Sequence, residues 1–419
     1  RVYTDPRTPT AYASSFLRIR ELRVLDECTV EAVYDKPYAP ALESWADEGV
    51  LPKHLLEGMD ITRSRLTRNP VGSGPYMVEE WITGDRIVLM ANNAYLGPKP
   101  CIGRMMWRMV PDSATMFLLV KSGGIDWMDL APLQYFRQTN DDWFRDNFKK
   151  YRFLDFSYNY LGYNLKNLKF KDKQVRQAIT MAIDRERIIS AVLLGLGRVA
   201  HSPYKPDTYW YNQSVPKIAY DPEKAGTLLM QAGWKDSDGD GILDKDGSPF
   251  EFTIVTNQGN LLRKLAAILI QDDLKKIGIK VNIRVIEWAA LLKYFVHRGN
   301  YDACLLGWRL GMDPDQTDIW NSSKVGEHEL NFVSYKNQEV DGLLDQGAST
   351  FNPQERKRYY DRFQEILADE VPYTFLWVPE TLPLVHSRVQ GIKASTLGID
   401  YNLPEWYTPE TGRKYEIQN

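Results

Sequence analysis

The densest set of metal-type ligands is Asp236-Ser-Asp238-Gly-Asp240-Gly-Ile242-Leu-Asp244-Lys-Asp246-Gly247. Carboxylates at the first, third, fifth and ninth places, a glycine at the sixth and the Ile242 carbonyl at the seventh suit a loop that wraps oxygen around a hard cation. The spacing therefore predicts a structural calcium ion held by Asp236, Asp238, Asp240, Ile242 and Asp244. The twelfth place is Gly247, where such loops use a bidentate Glu, so a solvated polar hairpin is the competing expectation. Either way the run stabilises a loop and does not bind a transported solute. Catalysis has little to work with. The chain has no Gly-x-Ser-x-Gly elbow, no His-Glu-x-x-His and no P-loop, and its five histidines are scattered. Asp141-Asp142 and Asp272-Asp273 read as solvated helix faces, the second pair balanced by Lys275-Lys276. No catalytic residue and no required cofactor are expected.

Recognition chemistry is better represented. In Leu305-Leu-Gly-Trp308-Arg-Leu-Gly-Met-Asp313-Pro-Asp315, Gly307 permits close backbone approach, Trp308 offers a flat apolar face, and Arg309 and Asp313 add charge. Packing of Trp308 into a core is the structural alternative. A second candidate, Val255 to Asn260, presents Asn257 and Gln258 for hydrogen bonding to a neutral or zwitterionic solute, with Asn260 free to cap a helix; Arg263 is the first arginine after it. Tyr158, Tyr160, Tyr163 and Asn164 form a third group, and Trp210 with Tyr211 a weaker fourth.

These side chains must be positioned by strands and helices, and the periodicity says which. Phe250, Phe252 and Ile254 alternate with polar residues, a helix runs from Asn260 to Ile277, and Ile279 to Val285 alternates again. Glu287 to His297 then reads as a helix and Asp302 to Gly307 as a strand. Such a β-α-β-α-β run predicts a parallel sheet, which places ligands beyond the carboxyl ends of its strands. An earlier unit, the strand Arg104 to Val110, a helix from Asp112 to Ser122 and the strand Ile125 to Met128, predicts another parallel pair. Asp172, Asp221-Pro222 and Asn352-Pro353 mark further helix starts, and Tyr373 to Val378 a returning strand.

A chain of 419 residues exceeds what one hydrophobic core usually organises. With 43% hydrophobic and 26% charged residues it has the composition of a globular protein, and no apolar run is long enough to span a bilayer. A net charge of −3 excludes a general nucleic-acid or anionic-membrane binder. Cys28, Cys101 and Cys304 lie far apart and without metal-ligand spacing; Cys304, inside an apolar run, reads as a small buried hydrophobe.

One ordered series adds a resemblance. Asn69-Pro-Val-Gly-Ser-Gly-Pro-Tyr-Met-Val-Glu-Glu-Trp81 is followed by a hairpin through Thr83-Gly84, then Asn93 to Pro100, Asp112-Ser-Ala-Thr, Gly124-Ile-Asp126 and Val175-Arg-Gln-Ala-Ile-Thr-Met-Ala-Ile-Asp184. In this order the segments resemble the peptide/nickel type (family 5) of extracytoplasmic solute-binding protein, the receptor component of ABC importers. The resemblance implies an α/β, two-lobe periplasmic-binding-protein fold of the large type II subclass, with hinge strands and a ligand cleft between lobes. On that pattern residues 1–69 complete an extra subdomain of lobe I, 70–160 form lobe I, 161–384 form lobe II and 385–419 return to lobe I. It further implies a monomer on the periplasmic or outer face of a bacterial or archaeal membrane that captures a peptide or other small solute for permease subunits. The chain opens at Arg1-Val-Tyr-Thr-Asp-Pro as if inside a domain, so an opening segment is expected to be absent or to be a separate chain. In such receptors the Gly-Trp to Asp-Pro loop touches ligand, and backbone near the first crossing faces it. Peptide binders place an acid in that loop; here Arg309 to Met312 contain none, which weakens the expectation of a free-amine peptide. Rival expectations are a carboxylate-dependent hydrolase acting in the cleft and a non-transport sensor or chaperone on the same fold.

Overall fold

The structure is a computed structural model that describes residues 2–8, 10, 13–326 and 329–413. The chain forms two compact units: Arg1–Thr10, Trp45–Asp155 and Glu380–Asn419 make the first, and Ala11–Ser44 with Phe156–Pro379 the second. Ala11–Ser44 thus groups with the second unit, where the sequence pattern assigned 1–69 to lobe I. Local contacts explain it. Tyr38 is buried, the Ala39 N–H donates to the Ala348 carbonyl at 2.7 Å, and Glu43 accepts from the Met312 N–H at 2.9 Å.

The second unit contains, in chain order, β1 (Ser157–Tyr163), α1 (Lys173–Ala182), α2 (Arg185–Val192), β2 (Gly197–Val199), α3 (Pro222–Gln231), β3 (Glu251–Asn257), α4 (Leu261–Lys275), β4 (Lys280–Ile286), β5 (Ala303–Arg309), α5 (Gln338–Ser349), α6 (Pro353–Glu370) and β6 (Tyr373–Thr381). The side chains of Asp172, Asp221, Asn260 and Asn352 accept backbone N–H groups at the starts of α1, α3, α4 and α6, so these caps satisfy donors that would otherwise be orphaned. At the far end of α6, Val371 adopts a left-handed φ of 48°. Its N–H bonds the Leu367 carbonyl, while buried Arg176 donates to the Glu370 and Val371 carbonyls and neutralises the helix's negative end.

Strand order is β2-β6-β1-β5-β3-β4. β3 pairs in parallel with β4 and β5; β5–β1, β1–β6 and β6–β2 are antiparallel. The predicted parallel sheet therefore covers three strands of a mixed one. From β3 the chain goes to β4 on one side, then crosses back to β5 on the other. The carboxyl ends of β3 and β5 are thus a topological switch point. Period-2 alternation splits the core: Leu161, Tyr163, Phe252, Ile254, Ala303 and Leu305 join a cluster with apolar residues of α1 and α4. The other face is aromatic, with Tyr160 stacked on Tyr373 at 3.8 Å and Trp320 4.5 Å from Tyr373.

In the first unit, Tyr76–Ile82, Arg86–Ala91 and Arg104–Arg108 form an antiparallel sheet, and Trp127–Asp129, Pro383–His386 and Phe148–Lys150 another in that order. This corrects the earlier strand, helix, strand unit. Asp112 does cap the helix Ser113–Lys121, but Arg104–Arg108 and Trp127–Asp129 lie in different sheets. Residues from the far end of the chain, Pro383–Val385, take the pairing edge of Trp127–Asp129. Among the described residues no helix is long and apolar enough to cross a membrane.

Candidate functional site

The β3 end, the α4 start and the β5 end meet at Arg263. Its Nε donates to Asn159 Oδ1 at 2.8 Å and one terminal nitrogen to Asn257 Oδ1 at 2.9 Å. Gly307 lies directly beneath: a Cβ there would fall 2.6 Å from the other terminal nitrogen and 2.8 Å from the Tyr158 carbonyl. The close approach that Gly307 permits is thus to the protein's own guanidinium. Burial lowers the Arg263 pKa, and the neighbouring titratable groups that oppose this are Tyr160 and Cys304, neutral near pH 7. Among the described residues no carboxylate forms an ion pair with it. Asn260 caps α4 by accepting from the Arg263 N–H at 3.0 Å, which fixes the arginine's starting point. Gln258 is exposed, and its N–H is tied to the Ile286 carbonyl at 2.7 Å.

At the end of β5, Trp308 is half-buried. One face stacks on Phe332 at 5.3 Å, and its indole N–H donates to the Tyr373 hydroxyl at 3.3 Å. Arg309 is exposed. Asp313, offered by the sequence as a recognition acid, receives both ends of the Arg356 guanidinium at 2.7 Å each, a bidentate pair that anchors the loop to α6. Tyr160 and Tyr163 turn their rings into the sheet's two faces; Tyr163 shares a 2.5 Å hydroxyl contact with Thr374. Asn164 donates to the Gly299 and Tyr301 carbonyls. These three side chains are engaged within the fold, leaving Asn159 as the β1 side chain at the strand-end site. Trp210 packs edge-on to Tyr360 at 5.9 Å, and Tyr211 is buried.

Residues 1–328 match the family described as bacterial extracellular solute-binding proteins, family 5. The chain belongs to this family. It is 38% identical over 377 residues to the oligopeptide-binding protein AppA of Bacillus subtilis, covering 88% of this chain and 68% of that one. The solved structure of Bacillus subtilis AppA in complex with a nonapeptide superimposes with a TM-score of 0.88, at 33% identity, covering 98% of this chain and 82% of that one. NikZ from Campylobacter jejuni in complex with Ni(L-His) gives 0.87 at 29% identity, covering 97% and 82%. The α/β two-lobe class expected from the sequence is that of these relatives, and the chain is a solute-binding receptor of an ABC import system.

In this receptor the acidic run lies apart from the strand ends. Asp236, Asp238 and Asp240 bring one carboxylate oxygen each within 4.8 Å of one another. Asp244 turns elsewhere, accepting from the Ser237 N–H at 2.9 Å and hydroxyl at 2.6 Å, which lowers its pKa. Ile242 donates its N–H to Asp240 Oδ1. The chemistry of three converging carboxylates suits calcium, whereas the ninth-place ligand predicted at Asp244 is engaged with Ser237. Asp273, read from sequence as solvated, is 1% exposed; it accepts from Arg187 at 2.7 Å and from the Asp184 N–H at 3.1 Å. Cys304 is buried and its thiol is pushed up to about 12 by burial, as a small hydrophobe's would be. A cavity of about 550 Å³ is lined by Lys166, His297, Arg298, Glu329 and Phe332, the last being the ring on which Trp308 stacks. Sequence reasoning missed the role of Glu43, whose carboxylate reaches the Met312 N–H from 269 residues away.

Proposed function

We propose that this receptor captures a peptide or another small solute at the carboxyl ends of β3 and β5 and passes it unaltered to permease subunits. The observation that carries the reading is that Asn257, Gln258, Arg263 and the half-buried Trp308 all stand at or just beyond the carboxyl ends of β3 and β5, the switch point of the sheet, with Arg263 bonded to Asn257. The ligands bound in the relatives' structures, a nonapeptide and a nickel–histidine complex, bracket the size range. The absence of an acid in Arg309 to Met312 argues less against an amine-bearing solute than it does in the bare sequence, because Glu43 supplies a carboxylate at Met312.

A thermal-shift screen of peptides, sugars, opines and metal chelates tests this. A solute at a hundredfold excess over its Kd should stabilise the protein by about 2.7 kcal/mol, and Trp308→Ala should remove most of that shift. A solute that is hydrolysed during incubation would replace the receptor reading with the hydrolase one. The extracytoplasmic location, periplasmic or on the outer face of the membrane, belongs to the same proposal, as does a monomeric state. So does calcium as a structural ion of the acidic loop. Exposed Met77, Met106 and Trp107 on the Tyr76–Arg108 sheet support further polypeptide of the receptor covering that sheet.

A further inference from the structure

Arg185, at the start of α2, is buried with its charge unmatched. Its Nη1 donates to the Ala200 carbonyl at 3.3 Å and the Phe375 carbonyl at 3.2 Å, and its Nη2 donates to the Ile218 carbonyl. Carbonyls supply dipoles and no net charge, and among the described residues nothing accepts from Nε or from the second proton of Nη2. Glu186, the acid next in sequence, is exposed and forms no ion pair with the guanidinium. Burial accordingly pulls the Arg185 pKa down to about 10. His201 lines the same cavity as Arg185, a space of about 20 Å³ with room for one water molecule or one monoatomic ion. The half-buried ring of His201 makes no hydrogen bond to any described residue. Burial and the charges of Arg185 and Lys217 push its pKa down to about 4, so near pH 7 the ring is neutral and has one N–H to give. Thr180, also at the wall, has its hydroxyl committed to the Arg176 carbonyl and to Thr374. The rest of the lining is largely apolar, with Leu367, Tyr373 and Phe375 among it, and no carboxylate lines the cavity.

We infer that this cavity is a site for a small monovalent anion of chloride's size, held by the unused N–H groups of Arg185 and by the ring N–H of His201. A cation removed from water needs an opposite charge or a full set of hydrogen bonds, and it does best with both. Water would satisfy the donors and leave the charge standing; a halide does both. Phosphate, sulfate and organic acids exceed the space. The ion would be structural. Arg185 already ties α2 to β6 and to the segment after β2 through the Phe375, Ala200 and Ile218 carbonyls, and a shared anion would fasten His201 of that segment to the same point.

Bromide is the probe, because it has chloride's charge and nearly its size and its anomalous scattering locates it. Crystals of the wild-type chain grown with sodium bromide should show an anomalous peak in the cavity, within hydrogen-bond distance of Arg185 and His201. In solution, bromide replacing gluconate at constant ionic strength should raise the denaturant midpoint along a curve that saturates. His201→Leu removes one donor and leaves the guanidinium in place, so it should raise the half-saturating bromide concentration about tenfold, the loss of one hydrogen bond to a charged group. Arg185→Gln should abolish the response. No peak at the cavity, a midpoint that climbs as much with gluconate, or a half-saturation unchanged in His201→Leu would each overturn the inference, with water as the occupant. If either variant fails to fold, the presence or absence of the bromide peak in the wild-type protein decides alone.

Discussion

At the scale of single residues, Gly307 and Arg263 constrain each other. A methyl group on Gly307 would meet the guanidinium at 2.6 Å, the Tyr158 carbonyl at 2.8 Å and Asn159 Oδ1 at 3.0 Å. The long arginine could retreat, but the Tyr158 carbonyl belongs to the β1–β5 ladder and cannot move without breaking register. Gly307→Ala should therefore cost about 1–3 kcal/mol of stability, the range of overpacked interiors, read as a lower midpoint in chemical denaturation. Arg263→Gln should partly relieve that cost when combined with Gly307→Ala, because one of the three clashes disappears. Additive costs in the double variant would show that the backbone carbonyl alone sets the need for glycine. The sequence made Gly307 legible as a place of close approach, because a glycine before Trp308 at the end of an apolar strand has few other uses. What it could not tell is what approaches: Arg263 comes from a helix 44 positions earlier in the chain, and only the parallel pairing of β3 with β5 brings them together. Asp313 shows the same limit: its partner, Arg356, is 43 residues away, so nothing in its own neighbourhood of the sequence announces the pair.

At the scale of elements, local signals were read well and edge pairing was not. Asn260, Asp172, Asp221 and Asn352 all cap the helices they were expected to cap, since a cap depends on two or three neighbouring residues. The strand Trp127–Asp129 pairs away from the neighbour its sequence context predicts because its partner, Pro383–His386, lies over 250 residues on, and no spacing within either segment encodes that choice. The acidic loop shows both sides. Spacing correctly gathers Asp236, Asp238 and Asp240, while Asp244 prefers the nearer donors of Ser237. The proposed calcium would then rest on three side-chain ligands and bind weakly. Millimolar calcium should raise the melting temperature by a degree or two relative to a chelator, and Asp238→Asn should abolish the rise. Ser237→Ala, by removing the hydroxyl bond and leaving only the backbone N–H on Asp244, should tighten calcium binding. An unchanged melting curve in all three proteins would leave the loop a polar hairpin.

At the scale of the whole molecule, two half-buried titrating groups in the second unit set opposing pH dependences of its stability. Burial raises Asp315 from 3.8 to about 6, although Thr317 donates both its N–H and its hydroxyl to the carboxylate. Burial lowers His201 from 6.5 to about 4, with the nearby charges of Arg185 and Lys217 acting in the same direction. The signs follow from proton uptake. The folded protein holds the Asp315 proton more tightly than the unfolded chain, so its contribution is fully present below about pH 4 and is lost as pH rises through 6. The unfolded chain holds the His201 proton more tightly, so that contribution is present above about 6.5 and is lost as pH falls through 4. Between pH 7 and 5 the first adds and the second removes about 1–2 kcal/mol each, at about 1.4 kcal/mol per unit of pKa difference. They nearly cancel, and the stability attributable to these two groups should be flat across that interval. Single substitutions uncover them. Asp315→Asn, which keeps an acceptor for Thr317, should leave a protein that loses stability on acidification to pH 5, and His201→Gln should leave one that gains it. Denaturant midpoints for the two variants at pH 7 and 5, each referred to wild type, should therefore move in opposite directions; movement in the same direction would mean that at least one of the groups does not titrate in the folded protein as its burial requires.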